Sequence, residues 1–273
     1  MDGEWARQPS LQRRSNGSRE TLKRLLLESI DTRSRGLSSA GLLFSGGVDS
    51  SLLALLLKDK LSLECYCAAA EGSHDWLLSE KSAKRLGVGL VRIELTIDGV
   101  REELPKLAAA IQSKNVMKLG VALPLWFCAR EAKEKELFFG MGTEEIFAGY
   151  GRHRQLLPDY RAIDEECWRG AMGSWDRDIS RDIGVSRAWG KEALFPYLDE
   201  AFVEEALAIP AEQKIDSENN KLVLRELAVE LGLPRGIAFE PKKAAQYGSR
   251  SDKFIRMLAK QKGMRVDSFL ESL

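Results

Sequence analysis

Residues 41–57 read GLLFSGGVDSSLLALLL: an apolar run, a turn with two adjacent glycines, and a second apolar run. The first run has the length of a buried strand and the second opens a helix, so SGGVDSS, Ser45 to Ser51, joins strand to helix. Gly46 and Gly47 let the backbone approach a ligand closely, successive N–H groups point outward, and the helix behind presents its positive end. Such a turn holds an anion, with Ser45 and Ser51 as added hydroxyl donors and Ser50 within the same turn. Asp49 inside it opposes a bare anion but suits one that arrives with magnesium, which carboxylates bind well. The spacing differs from the common phosphate loop, which places four residues between its glycines and ends in Lys–Ser/Thr. A Gly-Gly turn capped by serine is the plain structural alternative.

The 273 residues suffice for one large domain or two small ones with a core that needs no disulfides. Lys plus Arg and Asp plus Glu both number 41, so no global charge advertises a nucleic acid or an anionic membrane. The longest apolar run, Leu52 to Leu57, falls far short of the roughly 20 residues of a membrane span. No apolar leader stands near the start, which makes the cytoplasm the expected compartment. Cys65 and Cys67, two apart in a strand, read as buried small hydrophobes, and four cysteines with two histidines lack paired metal spacing.

Residues 1–19, rich in Arg, Ser, Gln, Gly and Asn, have no apolar period and read as a mobile tail; Asp2 and Glu4 count against a transit peptide. Residues 20–273 read as one domain, an α/β core over about 20–150 and a mostly helical part over 151–273. The pattern predicts a helix over 20–30, strands over 63–70, 89–95 and 136–141, and a helix from about 76 to 86, with Asp75 as its N-cap or as an edge carboxylate. The stretch 100–132 reads as two helical pieces interrupted near Lys118 to Pro124. Strands alternating with helices give a parallel twisted sheet with helices on both faces. Ligands in such sheets bind beyond the carboxyl ends of the strands, which places 45–51, 70–75 and 140–145 along one edge.

The second informative stretch is FGMGTEEIFAGYGRHR, Phe139 to Arg154. Gly140 and Gly142 leave the fourth strand, and Glu144 and Glu145 stand where they could reach a metal carried by a nucleotide. A solvated turn is the ordinary reading of such a glutamate pair. Arg152, His153 and Arg154 follow, either to bind an anionic substrate or phosphate or as an exposed basic helix end.

The SGGVDSS turn resembles the pyrophosphate loop of enzymes that split ATP into AMP and pyrophosphate, and the later blocks narrow the likeness to asparagine synthetases. Gly140, Gly142, Glu145, Phe147, Gly149 and Tyr150 match in register that family's SGxGxDExFGGY segment. GKEALFPYLDEAFVEEALAIPAEQKI (190–215) resembles its GxExRxPFLDxxxVExAxxLPxxxKI, KLVLRELAVELGLPRGI (221–237) its KxxLRxAxxxxLPxxI, and PKKAAQYGS (241–249) its RxKxGFxxG loop. The variants AGYGRHR and PKKAAQYGS are most similar to the asparagine-synthetase-domain-containing branch.

The resemblance implies ATP and Mg2+ as cofactors, adenylation of a small-molecule carboxylate with loss of pyrophosphate, and attack by ammonia. It puts Asp49 and Glu144 on the metal, and the 45–51 turn with Gly140 and Gly142 on the pyrophosphate. It puts Lys242 on the developing charge, and Glu192 or Asp182 as the base. Lys242 also reads as a surface lysine in a basic stretch. Met141 and Leu194 stand where the family has Glu and Arg, and Glu240 where its loop opens with Arg, so aspartate is not the implied acceptor. The chain begins Met1–Asp2 without the leading cysteine of a glutaminase, so ammonia is expected free or from a separate glutaminase subunit. A tRNA or other RNA base is the rival acceptor, and a nucleotide-binding subunit without catalysis a third reading.

Overall fold

A computed structural model describes residues 10–241 and 243–273. Residues 10–18 are irregular but held against the body: the Gln12 and Ser18 N–H groups donate to Glu204 and Glu205, and Gly17 N–H donates to Ala208 O. Residues 10–18 are thus not a free tail; the rest of that expectation, 1–9, lies outside the described residues.

Helix α1 (Arg19–Ser34) is capped by Ser18, and β1 (Ser39–Leu43) leads through the glycine turn to α2 (Val48–Leu57). Then come β2 (Ser62–Ala69), α3 (His74–Leu86), β3 (Gly89–Glu94), α4 (Ile97–Ala110), α5 (Val116–Glu131) and β4 (Glu136–Phe138). Short α6 (Thr143–Ile146) and α7 (Gly151–Arg154) precede α8 (Tyr160–Ser174), which passes through a π-helical turn, Trp175–Ile179, into α9 (Ser180–Ala188). Strand β5 (Glu192–Leu194) and α10 (Glu200–Ala208) follow, then α11 (Leu222–Glu230), α12 (Arg235–Ala238), α13 (Ala245–Gly248), α14 (Ser251–Gln261) and α15 (Val266–Glu271).

The five strands pair in parallel in the order β3-β2-β1-β4-β5. Parallel strands covered on both faces read as continuous apolar runs, and Cys65 to Ala69 are accordingly all buried. One face packs Leu42, Phe44 and Phe138 against α1, α2 and α11; the other packs Tyr66, Leu137 and Phe139 against α4, α5 and α14. The mostly helical part therefore contributes a strand to the same sheet and helices to both faces.

Two expectations change in the helices of this half. The break lies at 111–115, where Asn115 caps α5 by accepting from Met117 N and Lys118 N, and Lys118 to Pro124 is continuous helix. Proline inside a helix leaves the carbonyl four residues earlier without its N–H partner. Here Ser251 Oγ donates to Gly120 O at 2.5 Å, which supplies the missing bond. The N-cap of α3 is Ser73, which accepts from Trp76 N; Asp75 lies inside the first turn, buried against Gly248.

Candidate active site

The carboxyl ends of β1 and β4 diverge into the two glycine segments, and α2 and α6 begin side by side there. Gly46 takes φ +77°, and Ser82 Oγ donates to its carbonyl at 2.9 Å. Gly47 caps α2 without a side chain, so no side-chain cap occupies the first-turn N–H groups of this ten-residue helix. Ser45 is half-buried at the start of the turn. Ser50 is buried with Oγ 3.4 Å from Gly47 O, and Ser51 is fully buried with its Oγ unpartnered. Gly140 lies directly against Asp49: a Cβ there would sit 3.2 Å from Asp49 Cβ and 3.3 Å from Ser50 N. Gly142, at φ +98°, turns the chain into α6.

Asp49 and Glu144 meet on one cation that the sequence reading did not single out. Lys221 Nζ donates to both Asp49 oxygens at 3.0 Å, to Thr143 Oγ1 at 3.0 Å and to Glu144 Oε1 at 2.6 Å. Lys221 is only 3% exposed and takes φ +55°, a left-handed conformation unusual for a lysine. Burial works against its charge, but Asp49 and then Glu144 outweigh burial and hold the ammonium above its ordinary range. Tyr197 OH, wholly buried, donates to Asp49 O at 2.9 Å and fixes the turn from below. The signal for Lys221 in the sequence was its place as the leading lysine of the 221–237 block, which nothing local connects to Asp49.

Glu145 faces the other way. Tyr150 OH donates to its Oε1 at 2.5 Å, and Arg177 on the π-helical turn donates at 2.7 Å. Burial raises the Glu145 carboxyl above its usual range, with the Tyr150 hydrogen bond opposing. Glu145 is thus a strut that ties α6 to the α8–α9 helix. His153, expected in an exposed basic end, is fully buried and accepts from Tyr150 N at Nδ1, 3.1 Å.

Burial lowers the His153 imidazole to about 4 from an ordinary 6.5. The unfolded chain therefore takes up a proton before the native one does, so His153 costs nothing above pH 6.5 and removes stability as pH falls from 6.5 towards 4. We expect urea midpoints to drop across that window in the wild type, and to drop less in His153→Gln, whose loss at neutral pH comes from packing alone.

Both expected bases are misplaced. Glu192 pairs with Glu136 at the amino ends of β5 and β4, across the sheet from the turn, and its nearest cation is Lys135 at 3.7 Å. Asp182 on α9 is fully buried, with Oδ1 accepting from Arg181 Nε at 2.7 Å and Oδ2 unpartnered. Burial raises its carboxyl to about 6. It neutralises a buried arginine and faces no open site. Lys242 lies outside the described residues. Met141 and Leu194 are both half-buried among apolar neighbours.

No group of three or more carboxylate, imidazole or thiol side chains forms a metal cage among the described residues. Two carboxylates beside an anion-holding turn nevertheless fit magnesium, which is commonly bound by one or two carboxylates plus substrate phosphates. No described helix is long and apolar enough to cross a membrane.

The family model described as asparagine synthase matches residues 21–162 and 155–264. A Methanocaldococcus jannaschii protein with the provisional name asparagine synthetase (glutamine-hydrolyzing) 1 is 32% identical over 94% of this chain and 54% of its own length. An asparagine synthetase domain-containing protein of Saccharomyces cerevisiae is 27% identical over 87% of this chain and 52% of its own. The chain thus spans about half the length of these curated relatives. An NMN synthetase structure from Francisella tularensis superposes with a TM-score of 0.45 at 12% identity, covering 94% of this chain and 87% of that one. The strand–turn–helix, the glycine-flanked glutamates and the later blocks are therefore one inheritance: the chain belongs to the asparagine synthase family.

Proposed function

We propose that this chain is an ATP-dependent, AMP-forming amide ligase that activates a small-molecule carboxylate and passes it to ammonia, free or supplied by a glutaminase. The observation that carries the reading is the convergence of the 45–51 turn, Asp49 and Glu144 on the buried ammonium of Lys221. The turn's N–H groups would bind the β- and γ-phosphates, and the unpartnered Ser51 hydroxyl behind them is a donor a phosphate oxygen could satisfy. Asp49 and Glu144 would hold the magnesium that accompanies the nucleotide and neutralises charge on the leaving pyrophosphate.

The acceptor oxygen attacks the α-phosphorus, the bond to the β-phosphate oxygen breaks, and pyrophosphate leaves. Ammonia then attacks the acyl carbon, the bond to AMP breaks, and one proton is lost to solvent or a base. Lys221, beside both carboxylates, would neutralise charge that develops on the leaving pyrophosphate; one such contact is commonly worth about 3 kcal/mol. Glu192 and Asp182 are given no part. An acceptor that lies against Met141 meets an apolar wall, which favours acceptors without a charged group there.

The test is pyrophosphate release from magnesium-ATP with a panel of carboxylates and ammonium, wild type beside Asp49→Ala. Release should depend on one acceptor and fall about a hundredfold in the variant. Magnesium-ATP binding without release from any acceptor would sink the ligase reading.

A further inference from the structure

The charge balance of the whole chain hides an asymmetry. Residues 241–273 carry eight Lys and Arg against three Asp and Glu, while the other 240 residues carry 33 against 38. Helix α14 arranges part of this excess. Ile255, Leu258 and Ala259 are buried, and Lys253, Arg256, Met257 and Lys260 are exposed at positions i, i+3, i+4 and i+7, one face of the helix. Of these cations only Arg256 has a carboxylate partner among the described residues, Asp252 at 2.7 Å.

The stripe runs up to the mouth of the nucleotide site. Just ahead of α14, α13 is fastened to the carboxyl edge of the sheet: Ala70 N, beyond β2, donates to Ser249 O at 2.9 Å, and Arg250 donates to Gly72 O at 3.3 Å. The three most exposed large apolar side chains of the described chain gather there. Tyr247 is on α13 itself, and Leu77 and Met117 are on the first turns of α3 and α5, the two helices that flank it.

We propose that the α13–α14 face binds single-stranded nucleic acid, with phosphates on Lys253 and Lys260 and a base stacked on Tyr247 at the mouth. Unpaired cations spaced along an exposed ridge with an aromatic side chain at one end are what such a strand uses, since every base has a stacking face and every nucleotide a charge. The inference concerns binding and is independent of which acceptor the nucleotide site activates.

The experiment is fluorescence anisotropy of a labelled single-stranded RNA of about 20 nucleotides, mixed in sequence, titrated with the full chain between about 50 and 200 mM salt. Wild type, Lys253→Glu/Lys260→Glu and Tyr247→Ala are compared, with unlabelled RNA and poly-glutamate of equal charge as competitors. Saturable binding should weaken at least tenfold in the charge-reversal variant, with a shallower salt slope. It should weaken about tenfold in Tyr247→Ala with the slope unchanged. Circular dichroism and small-acceptor pyrophosphate release, both unaltered, verify that these surface variants fold. No saturable binding, equal binding by the charge-reversal variant, or displacement by poly-glutamate as effective as by RNA would each overturn the proposal; the last points to an acidic protein.

Discussion

Replacing Lys221 by methionine is expected to lower pyrophosphate release by about two to three orders of magnitude and to destabilise the protein by about 3 to 5 kcal/mol at neutral pH. The size follows from burial. Asp49 and Lys221 are 4% and 3% exposed, and the ammonium reaches both Asp49 oxygens and Glu144 within 3.0 Å. Methionine keeps most of the side-chain volume but removes the ammonium that lies between the two carboxylates. Two consequences separate this from general damage. Millimolar magnesium should restore stability to Lys221→Met far more than to wild type, because a divalent ion then supplies the charge that the lost ammonium held within 3.0 Å of Asp49 and Glu144. Removing one of the opposed charges, in Asp49→Asn/Lys221→Met, should recover part of the stability and none of the activity, a coupling that a double-mutant cycle by urea denaturation measures directly. A variant that stays within about 0.5 kcal/mol of wild type and keeps its turnover would remove Lys221 from the site.

That lysine also marks the limit of what the chain discloses when read as a string. The strand–turn–helix at 41–57 was legible because each part has a local cause: an apolar run, two glycines, a helical period. The parallel sheet followed from alternation, and the edge shared by 45–51 and 140–145 from the rule that ligands bind beyond carboxyl strand ends. Lys221 meets Asp49 across 172 positions, and only folding brings them together. Strand β5 has three residues, too few for a period to show, so Glu192 could not be assigned to the amino end of the sheet. The continuity of α5 through Pro124 depends on Ser251, a partner 131 positions from Gly120. Asp182 was a candidate base only through the family resemblance; Arg181 stands next to it in sequence, but the carboxylate's complete burial could not be read there.

Gly46→Ala is expected to weaken magnesium-ATP binding by at least about a hundredfold, and a distant glycine shows why. Gly36 and Gly46 have almost the same backbone angle, φ +78° and +77°, so a methyl group costs both the same left-handed strain, about 1 kcal/mol. A Cβ on Gly36 meets nothing within 4 Å, whereas one on Gly46 would lie 2.6 Å from Leu78 O and 2.8 Å from Ser79 N. Those atoms are backbone of α3 and cannot rotate away, so the turn itself must move. Moving it re-aims the N–H groups of residues 45–51 and breaks the bond from Ser82 Oγ to Gly46 O, on which the anion cradle rests. Gly36→Ala should therefore lose about 1 kcal/mol in urea and keep wild-type nucleotide affinity. Gly46→Ala should lose about 3 kcal/mol or more and weaken magnesium-ATP by at least about a hundredfold in titration calorimetry, since a displaced backbone donor is lost to every phosphate oxygen it served. Equal stability losses with equal affinities would mean that the cost at Gly46 is strain alone, and that the nucleotide is not held by this turn.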